Sequence, residues 1–200
     1  MIPARITEAV LRLKETKRMG WVERGVEDAE SVACHSYGLA VLALIEAQQR
    51  GLDTLKAVAT ALLHDLAESV TGDLTPEMKK AKGREAAEKE EQETLKQLLE
   101  DLPETQRLWL VRLIDEYYEE STPEARLVRQ LDRVEMALQA AWYKRSNRLG
   151  EAEASEFIQS STRELSDTEL LNLLASALSS IKPSNTHEKN PFNLDSWCSR

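Results

Sequence analysis

The residues most able to do chemistry lie in Leu62-Leu63-His64-Asp65-Leu66-Ala67-Glu68, followed by Gly72-Asp73. A histidine and three carboxylates here interrupt an otherwise apolar helical run that includes Ala57, Val58, Ala61, Leu62 and Leu66. Charge buried among such residues is costly unless it is paired or bound to a metal. His64 and Asp65 would point about 100° apart on a helix. One ion can then meet both only at a seam where other helices supply the remaining ligands. Glu68 follows on the His64 face of that helix, placed to orient or deprotonate a water, and Asp73 on its glycine-containing turn suits a partner general acid or base.

Two more residues have the right character. Of the histidines, His187 falls in a polar tail, whereas His35, like His64, sits on an apolar helical face. Asp132 lies in the middle of another apolar helix, where aspartate has poor propensity and is expensive to bury. Singly, each has an ordinary explanation as a satisfied core histidine or a capping carboxylate. Together, two imidazoles and two carboxylates suit a divalent transition metal with water completing its shell. A metal so held polarises a phosphoryl oxygen and acidifies bound water.

The elements that would position these groups are helical. Apolar spacings of three and four predict helices over about Ile6–Lys17, Ser31–Arg50 (with Val32, Leu39, Leu42, Ala43 and Ile45 inward), Thr54–Ser69, Glu104–Glu119 and Pro123–Arg145. Shorter helices are expected over 150–162 and Asp167–Lys182. Trp21–Val26 reads as a loop, with Trp21 a packing anchor and Arg24 a surface cation. Val70–Pro76 reads as a turn-rich loop. Lys79–Asp101 is dense in charge and reads as a solvated helix, with Lys80–Arg84 a possible cover over a site. There is no alternating strand pattern, repeat or heptad, so the expected fold class is all-α. One domain over 1–182 and a polar, mobile tail over 183–200, pinned by Phe192 and Trp197, complete the reading.

Composition narrows the function classes. The 200 residues, 42% hydrophobic and 30% charged, suffice for one real core. A net charge of −9 argues against nucleic acid as the partner, since such binders carry a basic face. No apolar run approaches the roughly 20 residues needed to span a bilayer. Glu8 stands where a signal peptide would be apolar. Cys34 and Cys198 form no disulfide framework, so a cytoplasmic setting is expected, with Cys34 as a buried thiol.

The ordered set His35, His64-Asp65, Asp132 resembles the H…HD…D pattern of the HD-domain metal-dependent phosphohydrolases. The likeness extends over about residues 15–145 to the 5′-deoxynucleotidase branch. It rests on Arg18 with nearby Trp21, Glu30-Ser31-Val32-Ala33-Cys34-His35-Ser36, His64-Asp65-Leu66-Ala67-Glu68, Gly72-Asp73-Leu74-Thr75-Pro76, Thr122-Pro123-Glu124-Ala125-Arg126 and Leu131-Asp132-Arg133-Val134-Glu135-Met136. This resemblance implies an HD-domain helical bundle with His35, His64, Asp65 and Asp132 as ligands of a divalent cation (Mn, Co, Zn, Ni or Mg). It further implies Glu68 and Asp73 as catalytic groups, Arg18 on the phosphate and Trp21 against the sugar or base, and a homodimer. Met19-Gly20 separate Arg18 from the tryptophan, and Cys34 stands where relatives are commonly acidic. The implied reaction is hydrolysis of deoxyribonucleoside 5′-monophosphates to deoxynucleoside and phosphate. The alternatives are hydrolysis of a triphosphate or cyclic nucleotide at the same site, or a non-catalytic helical interaction module.

Overall fold

Ser31, Asp53, Thr75, Thr122 and Asp167 each accept a backbone N–H from the first helical turn ahead of them, and each opens a helix. The computed structural model describes residues 2–181. Among the described residues the helices are α1 (Ala4–Leu13), α2 (Met19–Val22), α3 (Val32–Gln49), α4 (Thr54–Leu63), α5 (Glu68–Thr71), α6 (Pro76–Lys82), α7 (Arg84–Leu98), α8 (Glu104–Glu119), α9 (Pro123–Arg145), α10 (Glu151–Glu164) and α11 (Thr168–Ser180). Extended pairing among them is limited to an isolated bridge between Lys17 and Ser31. No described helix is long and apolar enough to cross a membrane. The tail expected over 183–200, with His187, Phe192, Trp197 and Cys198, lies outside the described residues.

Helix α9 is the axis of the fold and packs on α3, α4, α8, α10 and α11. Its Val128, Leu131, Val134 and Ala137 are fully buried against Leu39, Ala43 and Ala47 of α3 and Ala57 and Ala61 of α4. The alanines let the backbones of α3 and α4 come close to α9. Truncating a buried leucine such as Leu131 to alanine should cost about 2–5 kcal/mol, because little else can move into the space. Leu170 and Leu174 of α11 join this cluster and complete the core. A second cluster seats α1 and the α4–α5 turn on α7 and α8 through Leu13, Leu66, Leu95 and Ile114. A third is built on Trp21, Tyr143 and Ala154.

Several boundaries differ from the sequence reading. α1 stops at Leu13 because the chain must straighten for Lys17 to pair with Ser31. The segment after Arg18 is a short helix rather than a loop. The charged stretch is two helices, broken at Gly83, whose φ of 93° disfavours any side chain. It is also not wholly solvated: Glu91 is buried. Cys34 is exposed, not a buried thiol, because it follows Ser31 on the outer side of the first turn of α3. Ile45 is likewise exposed, 47%, on the outer face of α3.

Candidate metal centre and active site

The helix expected over Thr54–Ser69 ends at Leu63, and this break places the motif. The His64 ring donates from Nδ1 to the Ala61 carbonyl at 2.9 Å, taking an acceptor from the helical ladder. The chain then tightens: Leu66 N–H bonds to Leu63 O at 3.0 Å and Glu68 N–H to Asp65 O at 3.0 Å. His64 and Asp65 therefore sit on a tight turn at a helix end, and Glu68 opens α5 rather than continuing the His64 face. In this conformation His64 Nε2 lies 3.1 Å from Asp65 Oδ2.

The other groups arrive from α3 and α9. His35 Nε2 is 3.2 Å from Asp132 Oδ1 and 3.8 Å from Asp65 Oδ2. One ligand atom each from His35, His64 and Asp132 falls within a sphere of mutual separations under 4.8 Å. In its neutral form each histidine has a fixed tautomer. A carbonyl and a carboxylate can only accept, so Nδ1 carries the proton in His64, facing Ala61, and in His35, facing Glu135 at 2.6 Å. Each Nε2 is left with an in-plane lone pair, and both Nε2 atoms are buried without a hydrogen-bond partner. Two orphaned imidazole nitrogens beside two carboxylates fit a divalent cation, and the donor set suits several first-row metals. A second trio, Glu30, His35 and Glu135, is also close enough to hold an ion. It is a poorer site, since His35 Nδ1 holds the proton that Glu135 accepts.

These groups line a cavity of about 460 Å³. Burial would raise the Asp65 carboxyl, but His64 and the Arg18 guanidinium hold it below the ordinary carboxylate range. Asp132 is held low in the same way by His35. Glu68 goes the other way: burial, then the charges of Asp65 and Asp73, push its carboxyl well above the usual value. One of its oxygens is buried and unpartnered.

Arg18 enters from the segment before α2. The Lys17–Ser31 bridge and the bond from Arg18 N–H to Glu30 O at 3.0 Å anchor its backbone. Its Nη1 lies 3.2 Å from Asp73 Oδ1 and 3.4 Å from Asp65 Oδ2. Asp73 Oδ2 accepts the Met19 N–H at 2.5 Å, so both Asp73 oxygens are engaged.

Trp21 borders the cavity but is only 2% exposed. Its indole N–H donates to Glu30 at 2.9 Å, and its ring packs on Tyr143 and on Phe157 of α10 at 4.2 Å. Phe157, half-buried and with Arg24 4.4 Å over its ring, presents more surface to the cavity.

The profile of the HD-domain family matches residues 10–172. The chain belongs to the HD-domain family. Among HD-domain relatives it is 37% identical to mouse 5′-deoxynucleotidase HDDC2 over 172 residues, covering 86% of this chain and 84% of that one. It is 38% identical to the bovine 5′-deoxynucleotidase HDDC2 over 165 residues, covering 82% and 78%. A conserved hypothetical protein from Pyrococcus furiosus superposes with a TM-score of 0.70 at 31% identity, covering 88% of this chain and 96% of that one.

In this HD domain the four expected ligands His35, His64, Asp65 and Asp132 are brought together, with Glu68, Asp73 and Arg18 on the same cavity. Sequence reasoning did not single out Glu135, Glu30, Phe157 or Lys79. Glu135 had a signal, being one helical turn beyond Asp132 on α9. Lys79, ion-paired with buried Glu91 at 2.9 Å, was masked by the charge around it.

Proposed function

We propose that this chain is a divalent-metal-dependent 5′-deoxynucleotidase that hydrolyses deoxyribonucleoside 5′-monophosphates to deoxynucleoside and phosphate. The convergence of two unpartnered Nε2 atoms with Asp65 and Asp132, beside Arg18, carries the reading. His35, His64, Asp65 and Asp132 would hold the ion. When bound, the ion supplies Lewis-acid polarisation and acidifies water.

The chain's own groups do the rest. Arg18 faces the phosphoryl oxygens, where a guanidinium fork offsets their charge. Glu68 takes a proton from the attacking water. Its raised affinity for protons suits a base that must hold one. The water oxygen bonds to phosphorus, the bond from phosphorus to the 5′ oxygen breaks, and that oxygen takes a proton from solvent water. With both oxygens engaged, Asp73 is better suited to orienting Arg18 than to delivering that proton. The sugar and base extend along Gly20, Met136 and Phe157, the apolar part of the cavity wall beside Arg18.

The homodimer expected from the resemblance is part of the reading. Its support is an outward strip on α3, where Tyr37 (70% exposed), Val41, Leu44 and Ile45 form an apolar face. A reducing, cytoplasmic setting suits the free, exposed Cys34 thiol.

The deciding experiment combines metal analysis with phosphate release from dAMP, AMP and dATP. A stoichiometric divalent ion with dAMP strongly preferred is the expected result. Equal rates on AMP, or turnover of dATP alone, would reject the substrate assignment.

A further inference from the structure

Glu135 stands one turn beyond Asp132 on α9, yet its carboxylate reaches across to α3. Oε2 accepts the Nδ1 proton of His35 at 2.6 Å, and His35 is completely buried. The other histidine of the centre has no such partner: His64 Nδ1 meets only the neutral Ala61 carbonyl at 2.9 Å. From this contrast we infer that Glu135 is a positioning residue that sets the tautomer, ring orientation and donor strength of His35. Helix α9 then supplies both a ligand, Asp132, and the brace of a ligand on α3. The inference rests on His35 being a metal ligand, and not on the choice of substrate.

Two neighbouring features show that the structure makes room for this contact. Gly38 lies in the interior of α3, where glycine costs about 1 kcal/mol relative to alanine. A Cβ there would stand 3.0 Å from Glu135 Oε1 and 3.5 Å from its Cγ. A side chain at position 38 would push the carboxylate off its line to His35. Behind the pair, the Glu30 carboxylate is itself fixed by the Trp21 indole at 2.9 Å, while Glu30 N–H donates to the Tyr143 hydroxyl at 2.8 Å. Ligand-type atoms of Glu30, Glu135 and His35 all lie within 4.8 Å of one another. Trp21 therefore helps close the far side of the brace. A carboxylate behind a metal-bound imidazole raises its basicity, and losing such a partner typically costs 10–100-fold in metal affinity.

The test titrates Co²⁺ into metal-stripped protein against a competing chelator. Wild type, Glu135→Gln, Glu135→Asp and Gly38→Ala are compared, with thermal unfolding of each stripped protein as a control. Glu135→Gln keeps the shape and an acceptor but loses the charge, and should weaken Co²⁺ binding about 10–100-fold. Glu135→Asp, charged but shorter, should recover part of that loss. Gly38→Ala leaves every polar group of the centre in place, favours the helix, and should still weaken binding. The His35 Nδ1 proton should give a far-downfield resonance in wild type that moves upfield in Glu135→Gln. Wild-type Co²⁺ affinity in Glu135→Gln, or in Gly38→Ala should the first variant not fold, overturns the inference and leaves the deoxynucleotidase reading standing. The expected affinity series in a protein that leaves dAMP intact does the reverse. A wild type that binds no Co²⁺ overturns both.

Discussion

The carboxylate of Asp73 holds both the side chain of Arg18 and the backbone that follows it. Oδ1 is 3.2 Å from Arg18 Nη1, and Oδ2 accepts the Met19 N–H at 2.5 Å. The loop after α5 is thereby clamped to the start of α2, with the guanidinium beside Asp65. Asp73→Ala should free Arg18 and raise KM for dAMP more than it lowers kcat. A loss in kcat/KM of about tenfold corresponds to about 1.4 kcal/mol. If kcat alone falls while KM is unchanged, Asp73 acts on the reacting atoms rather than through Arg18.

Glu68 lines the cavity with one oxygen buried and unpartnered. Glu68→Gln preserves its volume and removes the proton acceptor. Turnover should fall about 10²–10⁴-fold, the span of a general base, while metal stoichiometry stays at the wild-type value. Loss of the metal together with activity would make Glu68 a ligand instead.

His64→Ala and Asp65→Ala should each abolish metal binding and activity together. In the metal-free protein each also leaves a like-charged or orphaned neighbour behind. An active, metal-free Asp65→Ala protein would be incompatible with the mechanism.

The metal-stripped protein should carry a pH signature. Burial and then Arg18 push the His35 imidazole towards its neutral form, but Glu135 and Asp132 outweigh them and raise its pKa from 6.5 to about 10. A group raised on folding stabilises the fold fully below its unfolded value and loses that contribution as pH climbs through the folded value. The urea midpoint of stripped protein should therefore fall between pH 6.5 and about 10. Glu30, pushed from 4.5 to about 7 by burial and by Glu135, adds a loss of the same sign over its own, lower window. Metal and proton compete for the lone pair of His35, so Co²⁺ affinity should rise across the His35 window. A flat midpoint from pH 6.5 upwards would show that the imidazole is neutral throughout.

The groups that converge at the centre were legible in the sequence because aspartate and histidine inside apolar helices are costly without a purpose, as at Asp132 and His35. Their spacing on the fold was not. The break at His64 comes from a side chain capturing the Ala61 carbonyl, a local competition that helical periodicity does not register. Cys34 was misread because a residue one position before a buried histidine points about 100° away from it. Glu135 and Glu91 look like surface acids by type. Only the packing of α9 on α3, and of α7 near α6, turns them inward.

Trp21 and Phe157 both border the cavity, where the resemblance implied the tryptophan alone against the sugar or base. The Trp21 ring is 2% exposed and its N–H is committed to Glu30, whereas Phe157 keeps surface on the cavity. Trp21→Phe would leave the Glu30 carboxylate without a buried donor, at a cost of about 1–3 kcal/mol. It should lower the unfolding midpoint while leaving the ratio of dAMP to AMP turnover near wild type. Phe157→Ala should do the opposite, raising KM for dAMP by removing apolar wall from the sugar and base with little effect on the Trp21–Glu30 bond. Measuring both ratios and both midpoints separates the two residues. If Trp21→Phe collapses the dAMP preference at unchanged stability, the tryptophan reads the sugar directly, and Phe157 merely packs behind it.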